Sequence, residues 1–203
     1  FSCMFLRYLL FIVIISLLSS STCRKTKSSG NNPPPVPGNT MIHRSGKNLV
    51  NGNNQIIQLK GIAFGNEVWS NTEIPSTHHT EEDFARVKTM NMNAVRFYMN
   101  YKTFDNDLTP YQYKQSGWNW IDLNIAWAKK HGIYLILNMH VPQGGIQSQG
   151  TGDALWNSTE NQNRLAALWK AIAAKYKNET QIAGFGLVNE PVPTSSLNQW
   201  TQL

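Results

Sequence analysis

Hydrophobic and polar positions along the chain predict strands and helices in turn. Apolar runs predict four strands, at residues 56–64, 93–99, 133–139 and 182–188. A turn of sequence Asn-Gly-Asn-Asn at residues 51–54 predicts a hairpin before the first of them. Apolar residues recur at helical spacing in residues 120–131 and 160–176, and another helix begins at Thr80, ahead of three acidic residues. The chain from residue 41 onward therefore alternates strand and helix.

Strand and helix units in series favour an α/β fold with a parallel sheet. The nearly unbroken apolar run at residues 133–139 is typical of a strand buried on both faces. A doubly wound nucleotide-binding sheet would have a Gly-rich phosphate turn after its first strand, and no G-x-G-x-x-G occurs in this chain. A barrel instead places polar functional residues where its strands end. We therefore predict a (β/α)8 TIM barrel, represented by about its first four βα units and preceded by the hairpin.

The first forty residues differ in character from the rest. Arg7 precedes an apolar run at residues 9–18 and a small polar cluster at 19–22, which is the layout of a secretory signal. The run is shorter than the roughly 20 apolar residues that a membrane-spanning helix needs. We expect a signal segment over residues 1–23, a polar Pro-rich linker over 24–40 and the catalytic barrel over 41–203.

Cys23 directly follows the signal and resembles the lipid-acceptor cysteine of bacterial lipoproteins. Ser20 stands where that pattern usually has leucine, and ordinary cleavage after Ser21 is the alternative. We accordingly expect a secreted protein or one lipid-anchored at Cys23 to the outer surface of a bacterial membrane.

Composition excludes several classes of function. Only Cys3 and Cys23 are cysteines, so the segment after the linker has no disulfide or Cys-zinc scaffold and depends on a hydrophobic core. The net charge is +6, and much of the excess is Arg24, Lys25 and Lys27 in the linker. No face combines basic and aromatic residues as nucleic-acid binding requires, so we expect no nucleic-acid partner.

The doublet His78-His79 lacks acidic or cysteine partners at ligand spacing. We therefore expect no metal and no cofactor.

Candidate catalytic residues follow three of the apolar stretches. Arg96, His140 and the pair Asn189-Glu190 are expected at the carboxyl ends of successive strands. Because parallel strands end at one rim of a barrel, these side chains should converge there. Prolines 191 and 193 then prevent a helix from beginning at once.

Four motifs occur in order along these strands, and together they resemble glycoside hydrolase family 5, the cellulase family of clan A. The resemblance covers about residue 42 to the end. The motifs are Leu59-Lys60-Gly61-Ile62, Ala94-Val95-Arg96, Asn138-Met139-His140 with Val141-Pro142-Gln143-Gly144-Gly145, and Asn189-Glu190-Pro191.

The resemblance implies a retaining mechanism with Glu190 as the acid/base. It also implies that Asn189 binds the 2-hydroxyl of the sugar being cleaved, that Arg96 orients a second carboxylate and keeps it ionised, and that His140 lines the same subsite. Retaining glycosidases use two carboxyl groups about 5–5.5 Å apart. In the family the nucleophile is a glutamate that ends the seventh strand, beyond these four units, so we expect this fragment to be inactive alone.

Aromatic residues can stack on the apolar face of a pyranose ring. Trp69 and Trp156, in loops after the first and third strands, are predicted sugar-subsite residues, and Asn66 and Glu67 are expected to line the cleft. The predicted partner is a polysaccharide, with a β-glucan favoured, and the predicted function is that of a cellulase-like endo-β-glucanase. The alternatives are a non-catalytic carbohydrate-binding barrel, or the same chemistry on mannan, xyloglucan or β-1,3-glucan.

Overall fold

The computed structural model describes residues 41–69, 74, 79–149 and 153–203. The predicted signal, Cys23 and the linker lie outside the described residues. The strands are β1 (His43–Ser45), β2 (Asn48–Val50), β3 (Ile56–Ile57), β4 (Gly61–Phe64), β5 (Ala94–Asn100), β6 (Tyr134–Val141) and β7 (Ile182–Gly186). The α-helices are α1 (Glu81–Thr89), α2 (Gln115–His131), α3 (Asp153–Trp156), α4 (Thr159–Tyr176) and α5 (Asn198–Gln202). None of the helices described is long and apolar enough to cross a membrane.

The central sheet is parallel, with the order β4-β5-β6-β7, so each strand pairs with the next one along the chain. In register, Gly61 pairs with Ala94, and Ala94 pairs with Tyr134. Helices α1, α2 and α4 form the crossovers between these strands. The prediction of successive βα units with a parallel sheet is confirmed.

A separate antiparallel sheet of order β1-β2-β3 precedes the parallel one. The predicted turn is present, since the N–H of Asn54 donates to the carbonyl of Asn51 at 2.9 Å. The prediction that residues 56–59 run on into the first barrel strand is wrong. Ile56 pairs with Val50 instead, because the Asn51 side chain accepts from the backbone of Gln55 at 3.0 Å and folds the chain back.

Local signals set the helix ends. The Asp83 carboxylate accepts from the Thr80 N–H at 2.9 Å, which satisfies a donor at the start of α1. Helix α2 begins five residues before the predicted position 120 and ends at Gly132, whose φ of +65° is left-handed. The Ser158 hydroxyl accepts from the Asn161 N–H at 3.2 Å at the start of α4.

The core lies between the parallel sheet and its helices. Strand β6 is buried along almost its whole length, as its apolar run predicted. Leu135, Leu137 and Met139 are fully buried, and Trp127 and Trp169 pack against the same cluster. This packing makes the carboxyl ends of β5, β6 and β7 a fixed platform for the polar residues above them.

Candidate functional site

Arg96 does not lie at the end of its strand as predicted. It is the third residue of β5, which continues to Asn100, and it pairs in register with Ile136. Its long side chain nevertheless reaches Tyr98 farther along β5, Asn138 within β6 and Asn189 after β7. The rim is therefore joined to the middle of the sheet by one guanidinium group.

The Arg96 guanidinium holds three side chains together. Nη2 donates to Oδ1 of Asn189 at 2.7 Å and to Oδ1 of Asn138 at 3.0 Å. Nη1 donates to the hydroxyl of Tyr98 at 2.9 Å, and the guanidinium carbon lies 4.8 Å from the centre of that ring. All three partners are neutral, so a half-buried positive charge is available to a further, anionic partner.

The backbone after β7 places Asn189 and Glu190 at the rim. The Asn189 N–H donates to the carbonyl of Met139 at 2.9 Å, and its side chain is buried. Glu190 follows with a φ of +44°, a left-handed conformation that is uncommon outside glycine and asparagine. Its side chain is exposed. The strained residue is thus the one whose carboxyl group is presented to the solvent side of the site.

His140 is enclosed by two aromatic rings. Its ring stacks on Tyr98 with centroids 3.9 Å apart and meets the edge of Trp69 at 5.4 Å. Burial, assisted by the charge of Arg96, lowers the pKa of His140 from 6.5 to about 4, and the charge of Glu190 opposes this change. His140 is therefore neutral near pH 7.

The network also sets the tautomer of His140. Oδ1 of Asn138 accepts from Arg96, so the Asn138 amide nitrogen faces Nδ1 of His140, at 3.3 Å. Because an amide nitrogen is only a donor, Nδ1 must be the acceptor. The neutral ring then carries its proton on Nε2, where it is a hydrogen-bond donor.

We expect the imidazole signals of His140 to stay unchanged on acidification until about pH 5, well below the ordinary pKa of histidine. Between the unfolded value of 6.5 and the folded value of about 4, the unfolded state binds the proton first, so the folded state loses stability as pH falls. Histidine NMR titration measures the first effect. Comparing the pH dependence of unfolding with that of His140→Phe measures the second. A midpoint near 6.5 would contradict the burial argument.

Close packing at Gly186 supports Asn138. A Cβ added at Gly186 would lie 2.5 Å from Oδ1 of Asn138, the atom that accepts from Arg96. We expect Gly186→Ala to displace this amide and to destabilise the protein by about 1–3 kcal/mol.

Gly184→Ala is the matched control on the same strand, since no atom lies within 4 Å of its added Cβ. Urea unfolding of both variants checks the prediction. Equal effects at the two positions would show that the contact with Asn138 is not the cause.

Of the predicted subsite residues in the first loop, Trp69 lies at the rim. This residue is 56% exposed, and its indole lies in T-shaped contact with the rings of His140 and Tyr98. Asn66 is buried, and its Nδ2 donates to the carbonyl of Tyr98 at 2.8 Å, so it fixes the loop to β5. Glu67 is exposed in a left-handed turn conformation. The loop therefore presents an aromatic surface next to His140.

The structure contradicts Trp156 as a sugar-stacking residue. It is 4% exposed, its Nε1 donates to Oε1 of Gln147 at 2.6 Å, and its ring lies near Trp200. The segment expected to be a loop contains the short helix α3, which turns the indole into the core.

Tyr98 and Asn138 are site residues whose roles the sequence analysis missed. Side chains two apart on a strand share a face, so Tyr98 lies with Arg96, and Asn138 with His140. That alternation was the available signal. Among the described residues, no group of three or more His, Cys, Asp or Glu side chains could hold a metal ion.

The four parallel βα units are those of a partial (β/α)8 barrel. The parallel βα units superpose on endo-glycoceramidase II from Rhodococcus sp. with a TM-score of 0.59 and 19% sequence identity, covering 71% of this chain and 42% of that one. Residues 50–203 match the family described as Cellulase (glycosyl hydrolase family 5). The chain belongs to glycosyl hydrolase family 5, and the resemblance and fold inferred from the motifs are confirmed.

Curated relatives carry several names within this family. A β-xylosidase of Phanerodontia chrysosporium is 34% identical over 118 residues, which are 55% of this chain and 25% of the relative. Endoglucanase C of Acetivibrio thermocellus is 29% identical over 127 residues, which are 63% of this chain and 37% of the relative. The chain thus spans between a quarter and two fifths of the length of these two relatives.

Proposed function

We propose that this chain supplies the acid/base side of the active site of a retaining β-glycosidase that cleaves polysaccharide, with a β-glucan as substrate. The observation that carries the proposal is the hydrogen bond from Arg96 to Asn189, the residue directly before Glu190, at one rim of the parallel sheet. Family membership supports the reaction type. The hydrogen bonds and exposure of the rim residues support the role proposed for each.

Glu190 donates a proton to the leaving oxygen and later accepts one from the attacking water. Its exposure at the rim gives it access to a glycosidic oxygen. Asn189 accepts from Arg96 through Oδ1, which leaves its Nδ2 as the group that donates to a sugar hydroxyl. The bond to Arg96 therefore selects the orientation of the amide.

The positive charge of Arg96 suits the nucleophilic carboxylate of a retaining enzyme. Its described partners are neutral, so it can stabilise an ionised carboxylate placed on the open side of the site. In the proposal this carboxylate ends the seventh strand of the complete barrel. Neutral His140 contributes its Nε2–H as a donor to the same sugar.

The choice of a β-glucan rests on the relatives. They include proteins named endoglucanase C and glucan 1,3-β-glucosidase as well as β-xylosidase. The test is to assay the complete protein that contains this chain on soluble β-1,4-glucan, β-1,3-glucan, mannan and xyloglucan. NMR of the first-formed product gives the stereochemistry, and we expect the β-anomer. Initial release of the α-anomer would refute the retaining mechanism, and no hydrolysis of any glycan would refute the function.

The proposal extends to export directed by residues 1–23. Their sequence pattern supports it, and Cys23 is either the lipidated first residue or part of a chain cleaved after Ser21. Mass analysis of the mature protein distinguishes a lipid-bearing Cys23 from an unmodified N-terminus at position 22. A mature protein that keeps residues 1–23 would refute export by this segment.

A further inference from the structure

A cleft lined by both polar and apolar residues lies beside the Arg96 network. It has a volume of about 540 Å³ and is enclosed by the segments that follow β4, β5 and β6 and by the first half of α4. This volume is typical of ligand-binding pockets. Trp69 lines the cleft and also contacts His140, so the cleft continues from the proposed cleavage site.

Asp107 is held in this cleft by two donors. The hydroxyl of Tyr101 donates to its Oδ2 at 2.8 Å, and Nη1 of Arg164 donates to its Oδ1 at 3.0 Å. Arg164 is itself buried and anchored by the buried Asp105, whose Oδ2 accepts from Nε at 3.0 Å. The orientation of the Asp107 carboxylate is therefore fixed by a buried ion pair before any ligand arrives.

The Asp107 side chain remains 57% exposed despite these bonds. Partial burial acts to raise its pKa, but the hydrogen bonds from Tyr101 and Arg164 outweigh burial and lower it. The carboxylate is thus ionised at neutral pH. Each of its oxygens accepts one of these bonds and has lone pairs left for further donors.

This lining suits a neutral sugar unit. A fixed carboxylate accepts hydrogen bonds from hydroxyl groups, and these charge-assisted bonds are stronger than neutral ones. The exposed indole of Trp69 offers an apolar face for the ring of a pyranose. Lys102 lies in the same cleft and its charge offsets that of Asp107, so the surface does not select for a charged ligand.

We propose that the cleft between Trp69 and Asp107 is an additional sugar-binding subsite, which binds a neutral unit of a β-glycan beyond the unit being cleaved. Asp107 accepts hydrogen bonds from the hydroxyls of that unit, and Trp69 packs against its ring. The inference rests on the proposed function in that its ligand is a β-glycan. It makes Asp107 a determinant of the preferred chain length.

The test measures binding, so that it does not depend on hydrolysis. Calorimetric titration uses the complete protein carrying Glu190→Gln, with oligosaccharides of two and of five units from cellulose, xylan and β-1,3-glucan. We expect the five-unit ligand of at least one series to bind more tightly than its two-unit counterpart. Asp107→Ala should reduce that preference about tenfold, the effect of one charge-assisted hydrogen bond.

Asp122→Ala is the matched control. Asp122 also accepts a tyrosine hydroxyl, from Tyr176 at 2.8 Å, and pairs with a cation, Lys175, at 3.0 Å, but it lies on α2 and does not line the cleft. Its removal should leave the length preference unchanged. Trp69→Ala is the second cleft variant, and it leaves the ion pairs of Arg164 intact in case Asp107→Ala perturbs the fold.

Three results would overturn the inference: no binding of any oligosaccharide, no length preference, or a preference that neither cleft variant reduces. Failure of the proposed function gives a different result, in which no glycan is hydrolysed while the length-dependent binding still requires Asp107. If the complete protein hydrolyses glycan but neither Asp107→Ala nor Trp69→Ala changes the length preference in binding, the subsite alone would be refuted.

Discussion

Replacing Glu190 with glutamine in the complete protein is expected to lower kcat on polysaccharide by about 10² to 10⁴-fold, the range attributed to one general acid or base. Glutamine keeps the size and hydrogen-bonding shape of the side chain but has no proton to donate to the leaving oxygen. Because Glu190 is exposed and its backbone position is fixed through Asn189, the fold should be unaffected. Polysaccharide binding should therefore change little.

An activated aryl glycoside separates this role from a structural one. Its leaving group departs without protonation, so formation of the glycosyl-enzyme should be far less affected by Glu190→Gln than hydrolysis of polysaccharide. Glu82→Gln on α1 is the control, since that carboxyl group is 81% exposed and pairs with Arg86 on its own helix. Equal losses on both substrates would remove Glu190 from the role of proton donor.

The convergence at the rim could be predicted because it follows from topology. Parallel strands end at one edge of the sheet, so His140 and Asn189 had to lie near each other once the strands were recognised. Their placement required no knowledge of side-chain conformation. The sequence also placed both residues at strand ends, since each of them follows an apolar run.

The partners of Arg96 could not be predicted from its strand. The carboxylate that Arg96 is expected to orient belongs to a strand outside these four βα units, and among the described residues the guanidinium contacts two amides and a phenol. Sequence patterns give the face on which a side chain lies, whereas the length and path of a guanidinium depend on packing. The result is a cation held in place without being neutralised.

The remaining wrong or missing predictions concern residues in loops. Trp69 and Trp156 both follow strands and are equally aromatic, yet one is 56% exposed and the other 4%. The difference arises because α3 is a single turn whose position depends on contacts with α4, among them the bond from Gln162 Nε2 to the carbonyl of Trp156 at 3.0 Å. Such contacts have no periodicity in the sequence. The cleft around Asp107 escaped prediction for the same reason, since Asp105 and Arg164 are 59 residues apart.

A polypeptide of residues 24–203 alone is expected to self-associate and to release no sugar from β-glucan. Hydrolysis should fail because a retaining mechanism needs two carboxyl groups, and the nucleophile proposed above ends the seventh strand of the complete barrel, outside these four βα units. Self-association has a separate cause. In the described sheet, β4 and β7 are edge strands whose outer backbone groups can pair with another chain.

Apolar side chains reinforce association at the β7 edge. Phe185 and Leu187 are 40% and 52% exposed, and Leu187 also lines an apolar groove of about 310 Å³ with Val188 and Trp200. We expect Leu187→Lys to increase the monomer fraction, because a charge at an open edge opposes strand pairing. Leu108→Lys is the control, since Leu108 is 89% exposed in the segment after β5, a strand that is paired on both sides.

Light scattering measures the mass of each variant, and a reducing-sugar assay on soluble β-glucan measures hydrolysis. A monomer that releases sugar would refute both parts of the prediction. An inactive monomer would show that the open edges are protected in solution. It would contradict the predicted self-association but not the predicted lack of hydrolysis. If Leu108→Lys dissociated the assembly as well as Leu187→Lys does, net charge and not the β7 edge would account for association.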